Sequence, residues 1–258
     1  MSFRNVNFAS IAKFNSATSS QLLNLYEGHV INKLKAESSK PKSKTFAPSS
    51  FRCERKCWFR LRGASTDTLE TPDLVLNFCA ELGTAIHLIV QQNLAEALGD
   101  DWVDVEDYLT HCEPKYPYDY TLSHEGMECK IELTNPPVRF ACDGIIRLNG
   151  KLYLLEIKTS EYASWKDLTD PKSIHMDQIK CYATLLGLSD VIVMYIDRQY
   201  GDIKVYEIHV GIDESKQILN KFKHIQDMVE YNLAPARLPD NDYMCSNCEY
   251  RKKCKDWG

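Results

Sequence analysis

The stretch Val138–Thr159, VRFACDGIIRLNGKLYLLEIKT, carries the three side chains with the clearest capacity for chemistry: Asp143, Glu156 and Lys158. Asn149-Gly150 marks a tight turn between two strand-like runs, the first holding Asp143 and the second Glu156 and Lys158. Side chains alternate along a strand. Glu156 and Lys158 therefore share one face, while Leu155 and Ile157 take the other, which is apolar and expected to be buried. Such a hairpin can gather two carboxylates and an amine at one open end of a sheet. Paired carboxylates supply oxygen ligands to Mg²⁺ or Mn²⁺, which polarises a phosphate and lowers the pKa of bound water. A neighbouring lysine can position that water and stabilise charge developing on the phosphorus centre. Taken alone, the same three residues also describe an exposed hairpin with a cross-strand ion pair.

Two further groups stand on helical patterns. Gly83-Thr84-Ala85-Ile86-His87 falls early in a long helix, where glycine permits close approach and His87 can offer a nitrogen ligand. His175, Gln178 and Tyr182 fall at i, i+3 and i+7, one stripe of a single helix. A polar stripe on a helix that packs on a sheet implies a lined cleft, or simply the wet side of an amphipathic helix.

The chain has 10 cysteines, without the spacing of a small disulfide scaffold. Cys79, Cys129, Cys142 and Cys181 sit in apolar settings and read as ordinary buried thiols. Cys245-x2-Cys248-x5-Cys254 is different, because the tail around it is too polar to bury it as core. Three thiolates leave a tetrahedral site one ligand short, and FRCERKCWFRLRG upstream offers Cys53 and Cys57. Spacing alone does not separate a zinc ion from an iron–sulfur cluster.

Positioning these residues requires a core, and 258 residues suffice for one. Composition is that of a globular chain, 44% hydrophobic and 26% charged. No uninterrupted apolar run approaches the roughly 20 residues of a membrane span, and the amino terminus lacks the features of an export signal, so a cytoplasmic protein is expected. A formal charge of −5 excludes a generally basic nucleic-acid coat. Phosphate binding would fall to local strips, Arg52, Arg55, Lys56, Arg60 and Arg62, and Arg251, Lys252, Lys253 and Lys255, unless these are merely solvated faces.

Periodicity predicts helices over Ser19–Lys35, Leu76–Leu98, Ile174–Leu186 and Asp213–Glu230, with an exposed loop at Ala36–Ser50. Strands are predicted at Glu128–Leu133, Val138–Leu148, Lys151–Thr159, Val191–Asp197 and Ile203–Val210. The fold class expected is α/β, a central mixed sheet flanked by helices. Residues 1–50 form an amino-terminal helix and linker, and 51–258 a single domain with cysteine segments at 51–63 and 240–258.

The ordered series Gly83/His87, Asp143, Glu156-Ile157-Lys158, Gln178/Tyr182 resembles the RecB-like nucleases of the PD-(D/E)XK superfamily. Cys53-x-Arg55-Lys56-x-Trp58-Phe59 and the three late cysteines are similar to the iron–sulfur members, among them the CRISPR-associated RecB-like exonucleases and AddB-type nuclease domains, and Pro171…His175-x-x-Gln178 resembles phage-encoded members. Cys142 stands where the superfamily has its proline. The resemblance implies metal binding by His87, Asp143, Glu156 and the Ile157 carbonyl, catalysis by Lys158, and bracing or DNA contact by Gln178 and Tyr182. It also implies a 4Fe–4S cluster on Cys53, Cys245, Cys248 and Cys254. The activity implied is a DNA exonuclease, 5′→3′ on single strands, with endonuclease activity alongside. Homo-oligomers and recombination or replication proteins are the partners compatible with it. A non-catalytic DNA-binding protein and a zinc-stabilised interaction module of the same fold stay open. No G-x-x-x-x-G-K-[ST] motor motif is present.

Overall fold

The computed structural model describes residues 17–40, 42–67, 73–246 and 248–257. The amino-terminal residues expected to lack an export signal lie outside these. Chain order runs α1 (Ala17–Ser38), α2 (Glu54–Leu61), α3 (Leu74–Leu98), β1 (Trp102–Val103), α4 (Val105–His111), β2 (Tyr120–Glu125), β3 (Glu128–Leu133), β4 (Val138–Cys142), β5 (Gly144–Leu148) and β6 (Lys151–Ser160). It continues with α5 (Tyr162–Lys166), α6 (Ser173–Leu186), β7 (Asp190–Asp197), β8 (Ile203–His209), α7 (Ile212–Glu230), α8 (Tyr243–Ser246) and α9 (Arg251–Asp256).

The main sheet has the order β1-β5-β6-β7-β8, parallel only between β6 and β7, and β2-β3-β4 form a second, antiparallel sheet. The mixed sheet flanked by helices is the expected class. Its register follows from the β5–β6 turn. Asn149 and Gly150 both take positive φ, 52° and 78°, the geometry a two-residue hairpin needs, so Leu148 pairs with Lys151 and Gly144 with Leu155. On one sheet face Leu154, Val191 and Val193 pack with Ile179 and Leu185 of α6 and Ile218 and Phe222 of α7. On the other, Leu155 and Ile157 pack with Ile86, Val90 and Leu94 of α3 and with Trp102.

Besides short elements that no expected element covers, α2, β1, α4 and β2 among them, three details differ from the sequence expectation. The apolar run Val138–Leu148 is two strands in two sheets, broken at Asp143, because continuous apolarity hides a change of partner. The stretch 36–50 is not all exposed loop: Phe46 is fully buried and exchanges hydrogen bonds with the backbone at Pro137 and Arg139. Residues 74–101 are long and apolar enough, by length and composition, to cross a bilayer, since polar residues interrupt the run without making it hydrophilic. Gln91 is the one buried residue of α3, whereas Val75, Phe78 and Ile89 are exposed.

Gly144 begins β5 under the Trp102 indole, and a Cβ there would lie 2.7 Å from the ring. Gly144→Ala should therefore destabilise the fold by about 1–3 kcal/mol through overpacking, seen as a lower denaturant midpoint.

Candidate active site

Asp143 joins three elements. Pairing of β5 with β6 ends at Gly144 opposite Leu155, so the next outward amide of β6 has no strand partner there. The Asp143 carboxylate takes it: Ile157 N–H donates to Oδ2 at 2.6 Å. Oδ1 meets His87 Nδ1 from α3 at 3.0 Å, and the buried Gln91 amide donates to the Asp143 carbonyl at 2.7 Å. Gly83 lets α3 lie this close, since a Cβ there would stand 3.3 Å from the Thr159 hydroxyl of β6.

Glu156 and Lys158 project from the opposite face of β6, toward α6. Lys158 Nζ pairs with Glu156 Oε1 and donates to Gln178 Oε1 at 3.0 Å; Gln178 Nε2 in turn donates to the Tyr182 hydroxyl at 2.9 Å. Tyr182 is buried and stacked on Phe140, 5.4 Å between ring centres. Gln178 and Tyr182 thus aim the lysine. All six side chains, His87, Asp143, Glu156, Lys158, Gln178 and Tyr182, line one cleft of about 430 Å³.

Glu156 is 2% exposed, and its Oε2 has no hydrogen-bond partner. Burial pushes the Glu156 carboxyl above the usual range; Lys158 pulls it back, and the Asp143 charge adds to the rise. Burial works against a charged His87, yet the hydrogen bond and charge of Asp143 outweigh it and raise its pKa. Among the described residues no three His, Cys, Asp or Glu side chains are placed to hold a metal ion together. In this arrangement the Lys158 ammonium is what answers Glu156. Ile157 enters the site through its N–H, and its side chain is core.

Two sequence expectations change. His175 does not line the cleft with Gln178: its Nδ1 meets the Tyr195 hydroxyl at 2.7 Å. Burial, with the charges of Lys158 and Lys172, drives its pKa down to about 3. Cys79 is not a buried thiol; it is half-exposed and lines the cleft, whereas Cys129, Cys142 and Cys181 are buried. Gln91 was the omission. Its signal is the spacing, Gly83, His87 and Gln91 at successive four-residue steps along one ridge of the helix.

A second constellation lies at the chain ends. Cys53, Cys245, Cys248 and Cys254 line one cavity. Cys57 is fully buried elsewhere, its thiol donating to the Ser50 carbonyl at 3.5 Å, and burial pushes it up to about 12. Burial raises Cys53, Cys245 and Cys248 as well, and their neighbours among the four add to the rise. Much of the basic strips serves to join the two segments instead of facing solvent. Arg52 pairs with Asp242 at 3.1 Å, Lys56 with Glu249 at 2.8 Å, and Lys253 donates to Ser65. Phe59 stacks on Tyr250 with 5.3 Å between centres.

No family model and no curated protein matches the chain. Among solved structures it is similar to SSO0001, at 17% identity and TM-score 0.46 over 93% of this chain and 96% of that one. It is also similar to the alkaline exonuclease LHK-Exo from Laribacter hongkongensis, at 12% identity and TM-score 0.45 over 78% and 95%. The complex of LHK-Exo with dAMP gives 12% identity and TM-score 0.47 over 87% and 98%. All three likenesses are of overall chain path.

Replacing Gln91 tests its role in holding Asp143. Gln91→Leu leaves the Asp143 carbonyl buried and unbonded, and should lower unfolding stability by about 1–3 kcal/mol in a chemical melt.

Proposed function

We propose that this chain is a metal-dependent deoxyribonuclease that cuts the phosphodiester backbone of DNA, 5′→3′ on single strands or frayed ends. The observation that carries the reading is the convergence of Asp143, Glu156 and the Gln178-braced Lys158 in one open cleft, with His87 beside them. An ordinary surface ion pair does not bury a carboxylate to 2% exposure and leave one of its oxygens unbonded. The donor set suits a hard divalent cation, and the Glu156 Oε2 atom is a buried acceptor that such a cation would satisfy. Asp143, Glu156 and His87, which are not gathered tightly enough here to hold an ion together, would draw in around Mg²⁺ or Mn²⁺, with the Ile157 carbonyl as a further oxygen. When bound, the ion would polarise the phosphate and acidify a water. Lys158 meets the developing negative charge, and Gln178, tied to the buried Tyr182, keeps the ammonium from swinging away.

The four thiols at the chain ends form an all-sulfur donor set in one cavity, from which Cys57 is absent. By its chemistry that set suits a 4Fe–4S cluster on Cys53, Cys245, Cys248 and Cys254, around which the four thiols would have to draw closer than they stand here, with a structural role in fastening the two ends. Bound there, it would relieve the burial that now disfavours the thiolates.

Two measurements check this reading. Lys158→Ala, assayed with Mn²⁺ on single strands labelled at the 5′ or the 3′ end, should degrade DNA at least about 100-fold more slowly than the parent. A variant as active as the parent removes the catalytic assignment, an inactive parent favours a non-catalytic DNA binder, and the label released first reads the polarity. Protein purified anaerobically should be brown, with absorbance near ~400 nm that Cys248→Ser abolishes; a colourless protein with bound zinc would replace the cluster by a zinc site.

A further inference from the structure

The even-numbered face of β6 continues past Lys158 to Ser160, which is 4% exposed. Lys172, in the turn that enters α6, reaches it: Nζ donates to Ser160 Oγ and to Ser164 Oγ, both at 3.0 Å. The Lys172 backbone is engaged separately, its N–H donating to the Tyr195 hydroxyl at 3.0 Å. Among the described residues, that half-buried ammonium is held by these two hydroxyl groups. Among the described residues no carboxylate forms an ion pair with it, and the charge of Glu161 reaches it. A second cation comes from the turn after β7. Arg198 N–H donates to the Ser160 carbonyl at 2.9 Å, its side chain has no carboxylate partner among the described residues, and its charge bears on Lys172.

Two like charges drawn to one strand end, with Glu161 acting on Lys172 through its charge but not through a direct contact, is an arrangement unlike that of Arg52, Lys56 and Lys151, each of which pairs directly with a carboxylate. A phosphate balances it. Hydroxyls are suited to the task, because each can rotate to donate to an anion. The position fits the same conclusion. Ser160 lies two residues beyond Lys158, roughly 6.6 Å along an extended strand and on the order of one nucleotide step. His175 feels the charge of both lysines.

We propose that Lys172, Arg198, Ser160 and Ser164 form a second phosphate subsite, which grips the phosphate adjoining the one held at the Asp143–Glu156–Lys158 cleft. This rests on the nuclease reading of that cleft. The shared chemistry is a phosphate of the DNA strand, either a terminal monoester or an internal diester, and the substrate arms of the test separate these.

The test uses the full chain, with EDTA present so that binding is read without cleavage. Anisotropy titrations with a single-stranded oligonucleotide bearing a 5′-phosphate, a 5′-hydroxyl or a 3′-phosphate are repeated across a range of salt. Lys172→Ala and Arg198→Ala should each bind several-fold more weakly, with the slope of log affinity against log salt shallower by about 0.7, the increment for one single-strand phosphate contact. A loss confined to one end-phosphorylated strand assigns the terminal monoester; an equal loss on all three assigns the internal diester. Should Lys172→Ala melt at room temperature, Arg198→Ala, at a half-exposed turn, decides alone. Parental slopes in the folded variants overturn the subsite. If Lys158→Ala is at the same time inactive, the nuclease reading survives that result. A parent that neither binds nor cuts DNA overturns both.

Discussion

At Asp143 the chain leaves one sheet for another, and a β6 amide is left without a strand to accept from it. The Asp143 carboxylate accepts that N–H and, through its second oxygen, meets His87 from a helix on the far face of the sheet. Gln91 holds the carbonyl of the same residue. An unpaired buried amide is among the more costly defects a sheet can carry, so the geometry of the acid is set by the backbone's own hydrogen-bond demand. Helix α3, the break between the sheets and the edge of β6 are all referred to this one carboxylate.

Glu156 shows the opposite economy. It is buried almost as deeply as the core leucines beside it, and only one oxygen is answered, by Lys158. Removing a carboxylate from water this thoroughly is unfavourable unless positive charge accompanies it. The lysine is in turn restrained by Gln178, and Gln178 by a tyrosine fixed under Phe140. A chain of neutral groups from the hydrophobic core therefore aims the amine.

Much of this was readable from residue order. The Asn149-Gly150 turn fixes the register of the hairpin, and the register alone puts Glu156 and Lys158 on one face; the spacing of Gln178 and Tyr182 puts them on one side of α6. What escaped did so for physical reasons. Apolar residues on both sides of Asp143 conceal the change of sheet, because periodicity reports burial and not the identity of the neighbouring strand. Gln91 lies in a helix so apolar that its one buried polar side chain reads as an interruption. His175 shares a helical stripe with Gln178, yet Tyr195, a residue of β7 that no local pattern connects to it, draws its ring away. The basic strips promised free cations, but Asp242 and Glu249, some 190 positions away in the case of Asp242, claim two of them. Charge patterns in sequence count groups without showing which are already matched.

The latch between the segment around Cys53 and the carboxyl-terminal helices has a temporal side. Its contacts, Arg52 to Asp242 across 190 positions and Trp58 to the carbonyl of Met228 across 170, join parts made far apart during synthesis. Helix α2 has its tryptophan uncovered until the segment around Met228 has been made, whereas the β5–β6 hairpin pairs stretches that are neighbours in sequence. Synthesis therefore delivers both strands of the acidic hairpin together, and the two halves of the clasp far apart in time.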